Sequence, residues 1–330
     1  MRKAALIYNP ASGVRRERRM AKLQAAAAIF KQAGIDVQAI ATTEPRSATS
    51  QARELASSGC DALIACGGDG TVNEVAQGIL ESGSDTALGV IPLGTANALA
   101  AEVRLPWRAV AAARALVTAE RKRIAVGRMD FGERNGGRAQ RYWLTAASVG
   151  VDAELMYVIS TLHKGRFGMV AYFAGGLRLL LSHHFAPFEV EFTEANSGRR
   201  RREIAAYFLL ARVANFGKMF RKIAPTAALT RDAATLILFK TRSRMAYMTF
   251  AASVMTGARV RIPGVESVEV SELSADHIQS PELLPPAWRS ALTRQAHLRA
   301  EVDGEVVGTL PVRSTIVPNA LTMLFPRTAS

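Results

Sequence analysis

The segment that most restricts the fold is Cys66-Gly67-Gly68-Asp69-Gly70-Thr71, because it joins two different periodicities. Before it, residues 62–66 form a short unbroken apolar run, the pattern of a strand buried on both faces. After it, Val72, Val75, Ala76, Ile79 and Leu80 recur at the spacing of one face of an amphipathic helix. The glycines at 67, 68 and 70 remove every Cβ but that of Asp69, so backbone N–H groups can approach an anion closely. The helix that follows adds unpaired amides and the positive end of its dipole. A carboxylate in such a cradle repels a bare phosphate. Asp69 therefore suits the handling of a proton or a cation, or the capping of the helix.

The rest of the first 120 residues repeats this alternation. Residues 4–8, 35–41 and 88–91 read as strands. Met20, Leu23, Ala27 and Phe30, then Ala48, Ala52, Leu55 and Ala56, then 96–103 and 106–118 read as helices. Strands alternating with helices predict a doubly wound parallel sheet, in which ligands bind outside the carboxyl ends of the strands. Two more loops fall there. One is Pro92-Leu93-Gly94-Thr95-Ala96-Asn97; the other is Asn9-Pro10-Ala11-Ser12-Gly13, followed by Arg15, Arg16, Arg18 and Arg19. Gly-Thr at a helix start is common capping, so the former says little alone. Together, three such loops on neighbouring strands predict a nucleotide phosphate site.

After Ala119 the texture changes. Residues 123–131, 141–149, 188–192, 202–211, 235–240, 265–273, 298–302 and 305–310 read as strands, with turns such as Asn135-Gly136-Gly137 and Asn196-Ser197-Gly198. Helical patterns interrupt at 153–162, 168–182 and 244–255, and residues 280–286, with three prolines, read as a loop. The expected architecture is α/β: a parallel-sheet nucleotide domain over 1–122 and an antiparallel β-sandwich-like domain over 123–330. The last strand, about 320–326, is expected to return to the first domain.

Charge narrows the partners. Lys and Arg number 42 against 28 Asp and Glu, a net +14 carried mostly by arginine, which suits phosphates or an acidic lipid surface. Arginine richness also follows from genomic base composition. Aromatic residues are only 7% and do not interleave with the arginines, so nucleic acid is not expected. The longest apolar runs fall short of a membrane span: residues 169–181 are broken by Arg178, and 245–257 lie between basic and polar flanks. No signal peptide is read at the N-terminus. Cys60 and Cys66 cannot build a disulfide framework, so a reducing cytoplasm is expected. The five histidines, at 163, 183, 184, 277 and 297, show no metal-ligand spacing.

Taken in order, Asn-Pro-x-Ser-Gly, Gly-Gly-Asp-Gly-Thr-x-Asn-Glu, Pro-x-Gly-Thr-x-Asn and a late Asp303-Gly304-Glu305 resemble the diacylglycerol kinase catalytic-domain family, with its bacterial soluble lipid kinases and its sphingosine and ceramide kinases. The resemblance runs from Asn9 to about Pro326. NAD kinases share the Gly-Gly-Asp-Gly element, but their separate later Asn-Glu pair and Gly-Ser-Thr-Ala-Tyr stretch are not found. The family implies ATP and Mg²⁺, a two-domain fold with the nucleotide in the cleft, and a lipid hydroxyl as acceptor. It implies that Asn9, Ser12, Gly67, Gly68, Gly70, Thr71, Glu74, Gly94, Thr95 and Asn97 line the nucleotide site. Asp69, Asp303 and Glu305 become the catalytic acids, with Asp303 as base and Asp69 near the metal; the reverse assignment stays open. In extended backbone Asp303 and Glu305 share a face, although Asp-Gly between apolar runs is also a hairpin turn.

Departures accompany these matches. Ala98, Ala125 and Thr226 stand where soluble bacterial members carry metal-associated aspartates. Asn97-Ala98-Leu99-Ala100 is similar to the sphingosine kinase version, and Asp152 falls where those enzymes contact the lipid head. Arg166, in Lys164-Gly165-Arg166-Phe167-Gly168, is the other substrate-binding candidate, as a phosphate contact or a solvated basic turn. The tip at Arg199–Arg202 reads as a hairpin that could also meet anionic lipid. The expectation is a lipid kinase acting on diacylglycerol or a sphingoid-type lipid. It would be cytoplasmic and peripheral to the inner membrane face, and compatible with a homodimer. The alternative is a catalytically silent lipid- or nucleotide-binding relative.

Overall fold

The computed structural model describes the chain apart from residues 11–15, 45, 134–135, 162–184, 217–222, 259, 290, 293–297 and 328–330. Ser12, Arg15, the Asn135 turn, Arg166 with its neighbours, the helix expected at 168–182 and every histidine except His277 lie outside the described residues. The chain divides into two compact units. One comprises 1–126, 215–220 and 317–330; the other comprises 127–214 and 221–316.

In the first unit the strands are β1 (Lys3–Tyr8), β2 (Asp36–Ala41), β3 (Ala62–Gly67) and β4 (Ala87–Pro92), all parallel and ordered β2-β1-β3-β4. The interior strands β3 and β4 are buried along their whole length, which is why they read as unbroken apolar runs. Helices α1 (Arg16–Gln32), α2 (Ser47–Ser57), α3 (Asp69–Ser82), α4 (Ala98–Glu102) and α5 (Ala109–Val117) link and cover them. The stripe Leu23, Ala26 and Phe30 buries α1, while Val72, Val75, Ala76 and Ile79 bury α3. The order places β2 on one side of β1 and β3 on the other. The loops after β1 and β3 thus open at a topological switch point, where helices leave toward opposite faces of the sheet.

The second unit is built from antiparallel strands. Its chain runs through the end of β5 (Glu120–Gly132), then β6 (Arg138–Trp143), β7 (Ala146–Val149), helix α6 (Val151–Thr161), β8 (Phe188–Glu194), β9 (Arg200–Ala205), β10 (Tyr207–Ala211) and β11 (Ala234–Phe239). Helix α7 (Arg244–Thr256), β12 (Val265–Asp276), the short α8 (Pro286–Arg289), β13 (Arg299–Val302) and β14 (Glu305–Phe325) follow. Trp143, Phe188, Phe192 and Phe208 centre its core. Trp143 lies across Gly127 on the paired strand, where a Cβ would fall 1.8 Å from the indole, and its Nε1 donates to Ser314 Oγ at 3.1 Å.

Three expectations about strands need correction. The strand expected over 141–149 is two strands, because the amides of Leu144 and Thr145 turn away from the ladder to the Asp303 carboxylate. The strand expected over 202–211 breaks at Ala206, whose amide donates to Phe239 O at 3.0 Å. The strand expected to end at 310 continues to Phe325, pairing with β12 through Val312–Thr315 and, in the first unit, with β4 at Met323. Residues 280–286 also hold a turn of 3-10 helix, Pro281–Leu283.

Candidate active site

In the first unit the glycine loops after β3 and β4 meet backbone to backbone. A Cβ on Gly94 would lie 2.4 Å from Gly68 Cα and 2.8 Å from Asn97 Oδ1, so only glycine permits the approach. A Cβ on Gly67 would meet Thr71 Oγ1 at 2.5 Å. Leu93 N donates to Gly67 O at 2.9 Å, fastening one loop to the other. Gly68 is the extended residue that precedes α3, Asp69, Gly70 and Thr71 form that helix's first turn, and half-buried Glu74 follows.

Asn97 is buried and left-handed at φ +50, a conformation Asn tolerates better than most side chains. It closes its own loop, donating through Nδ2 to Gly94 O at 2.8 Å and accepting from Gly94 N through Oδ1 at 3.0 Å. Asp69 then bridges the loops: Oδ2 accepts from Asn97 N at 2.9 Å and Oδ1 from Ala98 N at 2.7 Å. The carboxylate starts one helix and caps another. Gly94 and Thr95 stay exposed beside it. After β1, the carbonyl of Asn9 accepts from Arg19 Nη1 at 3.5 Å, which brings one of the expected arginines to that loop.

In the second unit Asp303 and Gly304, at φ +48 and +88, form the two-residue turn between β13 and β14. The Asp303 carboxylate is clamped. Its Oδ2 accepts from Leu144 N at 2.8 Å, and its Oδ1 from Thr145 N at 2.8 Å, Ala146 N at 3.0 Å and Thr145 Oγ1 at 2.6 Å. The turn removes the extended backbone that would have put Asp303 and Glu305 on one face. Instead Glu305 pairs opposite Val302, and its carboxylate meets Arg141 Nη2 at 2.9 Å.

The acid that comes to the Asp303 turn is Glu301, which residue-by-residue reading missed. It is 3% exposed, accepts from Ser148 Oγ at 3.0 Å and from the Gly304 amide, and lies beside Asp152 in the first turn of α6. Burial and then the Asp152 charge push the Glu301 carboxyl well above the usual carboxylate range, while burial pushes Asp152 up to about 6. Nothing in the sequence signals its burial, because Leu298, Ala300 and Val302 alternate with Arg299 and Glu301 and so place both charges on the polar face of the strand.

Arg212, also missed, is fully buried. It donates to the carbonyls of Leu229, Arg231 and Ala233 at 2.6, 3.1 and 2.9 Å, and burial lowers it to about 10. It thereby holds the loop that carries Thr226, one of the expected departures, the Thr226 hydroxyl lying 3.1 Å from that of Thr235. At the other departures Ala98 gives its amide to Asp69, and Ala125 is buried.

Magnesium needs only one or two protein carboxylates when substrate phosphates and waters complete its octahedron. Asp69 is the one acid in the two glycine loops, and among the described residues no group of three or more His, Cys, Asp or Glu comes together. The residues fit the ion in that mode and not as an all-protein cage. The expected arginine tip at Arg199–Arg202 is largely neutralised within its own sheet. Arg201 pairs with Glu194, Glu203 and Glu266, Arg202 with Glu189, and Arg200 with Glu191. Among the described residues no helix is long and apolar enough to cross a membrane.

The diacylglycerol kinase catalytic domain family matches residues 3–129, and the YegS C-terminal NAD kinase beta sandwich-like domain family matches residues 145–325. A diacylglycerol kinase of Bacillus subtilis (strain 168) is 29% identical over 313 residues, covering 94% of this chain and 92% of the relative. One from Staphylococcus epidermidis (strain ATCC 12228 / FDA PCI 1200) is 28% identical over 311 residues, covering 94% and 88%. A crystal structure of a diacylglycerol kinase from Bacillus anthracis str. Sterne superposes with a TM-score of 0.66 at 18% identity, covering 98% of this chain and 97% of that one, a likeness of fold.

Proposed function

The chain belongs to the diacylglycerol kinase catalytic-domain family and is a lipid kinase, and from that premise we propose that it transfers the terminal phosphate of ATP, with Mg²⁺, to a lipid hydroxyl. The acceptor class is diacylglycerol or a sphingoid-type lipid. The observation that carries the nucleotide part is the contact of Gly68 with Gly94 across two loops at the carboxyl edge of a parallel sheet.

Phosphoryl transfer asks a protein mainly for positioning and for neutralising charge. In the first unit, Gly67, Gly68, Gly70, Thr71, Gly94, Thr95 and Asn97, with Asn9 and Ser12 after β1, would hold the phosphates through backbone amides and hydroxyls. Glu74 lies one turn into the helix behind them. Asp69 would hold the ion, which when bound draws charge from the phosphate oxygens. The same carboxylate keeps the two loops in one arrangement through Asn97 and Ala98. In the second unit, Asp303 is the residue proposed to take the acceptor hydroxyl's proton. Its clamp by the 144–146 backbone fixes where its carboxylate points, the kind of orientation a general base needs. Glu305 is held by Arg141 at the start of β14, just after that turn, and Asp152 and Arg166 are assigned to the lipid head.

Incubation with labelled ATP, Mg²⁺ and a panel of diacylglycerol, sphingoid and other lipid alcohols tests the reading. Label passing to at least one lipid is expected. No transfer from a folded protein that still binds nucleotide would leave a silent relative instead. The cytoplasmic, membrane-peripheral placement belongs to the same reading, because the substrate resides in a bilayer.

A further inference from the structure

An ordinary surface helix buries an apolar stripe and turns charges to water. Helix α7 does the first and not the second. Its inner face is aromatic: Tyr247 stacks on Phe239 at 4.5 Å and on Phe185 at 4.2 Å, Phe250 meets Phe239 edge-on at 5.2 Å, and Ala246 and Val254 are buried with them. Its outer face carries Met245, Met248, Ala252 and Met255 with Thr249 and Thr256, and no charged residue between Arg244 and Gly257. Met245 is 65% and Met255 54% exposed, and Val260, just beyond the helix, is 51% exposed. These are three of the five exposed large hydrophobic residues found among the described residues. Such clustering marks an interaction surface.

The rim is cationic. Arg242 and Arg244 flank the N-terminal end and Arg261 follows the C-terminal end. The Arg242 guanidinium stands over the half-buried Trp288 ring at 6.0 Å, an aromatic with a polar edge of the kind favoured at a bilayer boundary. We infer that α7 lies flat on an anionic phospholipid bilayer, its methionines in the acyl boundary and its flanking arginines among the headgroup phosphates. Methionine is flexible and polarisable enough to fit a disordered lipid surface. Charge favours lipid over a second copy: a chain of net +14 is repelled by its twin and attracted to acidic headgroups.

The inference rests on the lipid-kinase reading for its purpose, but the vesicle binding that tests it uses no ATP. The full chain and its Met245→Asp/Met255→Asp double variant are sedimented with vesicles of equal parts phosphatidylglycerol and phosphatidylcholine at low salt. Both sites are exposed, so the variant should melt with the wild type. It is expected to bind vesicles at least roughly tenfold more weakly, while its transfer to detergent-dispersed lipid is retained. Equal sedimentation of the two proteins, or no sedimentation of the wild type, overturns the docking face. So does a wild-type dimer at equilibrium that the variant dissociates. Vesicle binding lost in the variant supports the docking face even where neither protein phosphorylates any lipid; that result would remove the kinase reading alone.

Discussion

Asp69 opens helix α3, yet its carboxylate caps the neighbouring helix, taking the Ala98 amide at 2.7 Å. An acid that reads along the chain as the lone charge in a glycine cradle is, in three dimensions, the link between two cradles. Its removal has both a structural and a chemical consequence.

Asp69→Ala leaves the Asn97 and Ala98 amides without that acceptor. The loss is on the order of 1–2 kcal/mol, read as a lower urea midpoint, together with loss of phosphoryl transfer. A variant that keeps full activity would remove the ion from Asp69, and an unchanged urea midpoint would remove the energetic weight of the cap.

Gly94→Ala drives a methyl group into the Gly68 backbone, an atom that cannot swing aside. The loops must part, so nucleotide binding measured by calorimetry should weaken by roughly tenfold or more, with about 1–3 kcal/mol of stability lost. Unchanged affinity would mean that the apposition of the loops does not shape the nucleotide site.

At Asp303 two substitutions separate turn from chemistry. Asparagine tolerates φ +48 and keeps one carbonyl oxygen, whereas alanine forfeits every side-chain bond to residues 144–146 and keeps only its backbone amide's bond to Ala146 O. Asp303→Ala should lose about 2–4 kcal/mol and Asp303→Asn clearly less, by chemical denaturation. Initial rates should fall by orders of magnitude in both. A fully active Asp303→Asn would leave the residue a turn clamp only.

The Glu301–Asp152 pair sets a pH dependence of known sign. Both carboxyls titrate higher folded than unfolded, so the native state holds more protons from about pH 4 upward. The pair's contribution is therefore most favourable at low pH and is lost as pH rises through about 6, the value at Asp152. Glu301→Gln should flatten the fall of the melting midpoint as pH rises from about 4 through about 6. Superimposable midpoint curves for the two proteins would contradict the pairing.

Arg212→Met keeps most of the volume and removes the donors to Leu229, Arg231 and Ala233, carbonyls that lie beside a fully buried group. A loss of about 2–4 kcal/mol is expected by differential scanning calorimetry. Because a guanidinium holds this loop, a chelator should leave the wild-type melting midpoint unmoved. A midpoint that falls on chelation would mean that a metal holds it.

Much of the architecture is legible in the sequence itself. Buried parallel strands show as unbroken apolar runs at 62–66 and 88–91, helices as stripes such as Val72 to Leu80, and the glycine loops as departures from both. These are local signals, written in the periodicity of each segment. The order β2-β1-β3-β4, which puts the Asn9 and Gly67 loops at the switch point, is set by packing between segments distant in sequence. So are the breaks at Leu144–Thr145 and Ala206, where amides leave one ladder for an acceptor that lies far along the chain. The same holds for Glu301 beside Asp152, and for Arg212 among three carbonyls. The chain alone determined most of the strands and helices and the glycine-rich loops between them, because backbone preference and burial pattern are local. Only the tertiary structure decided which carboxylate caps, which clamps and which is buried beside another, because hydrogen bonding and desolvation depend on neighbours brought from elsewhere in the chain.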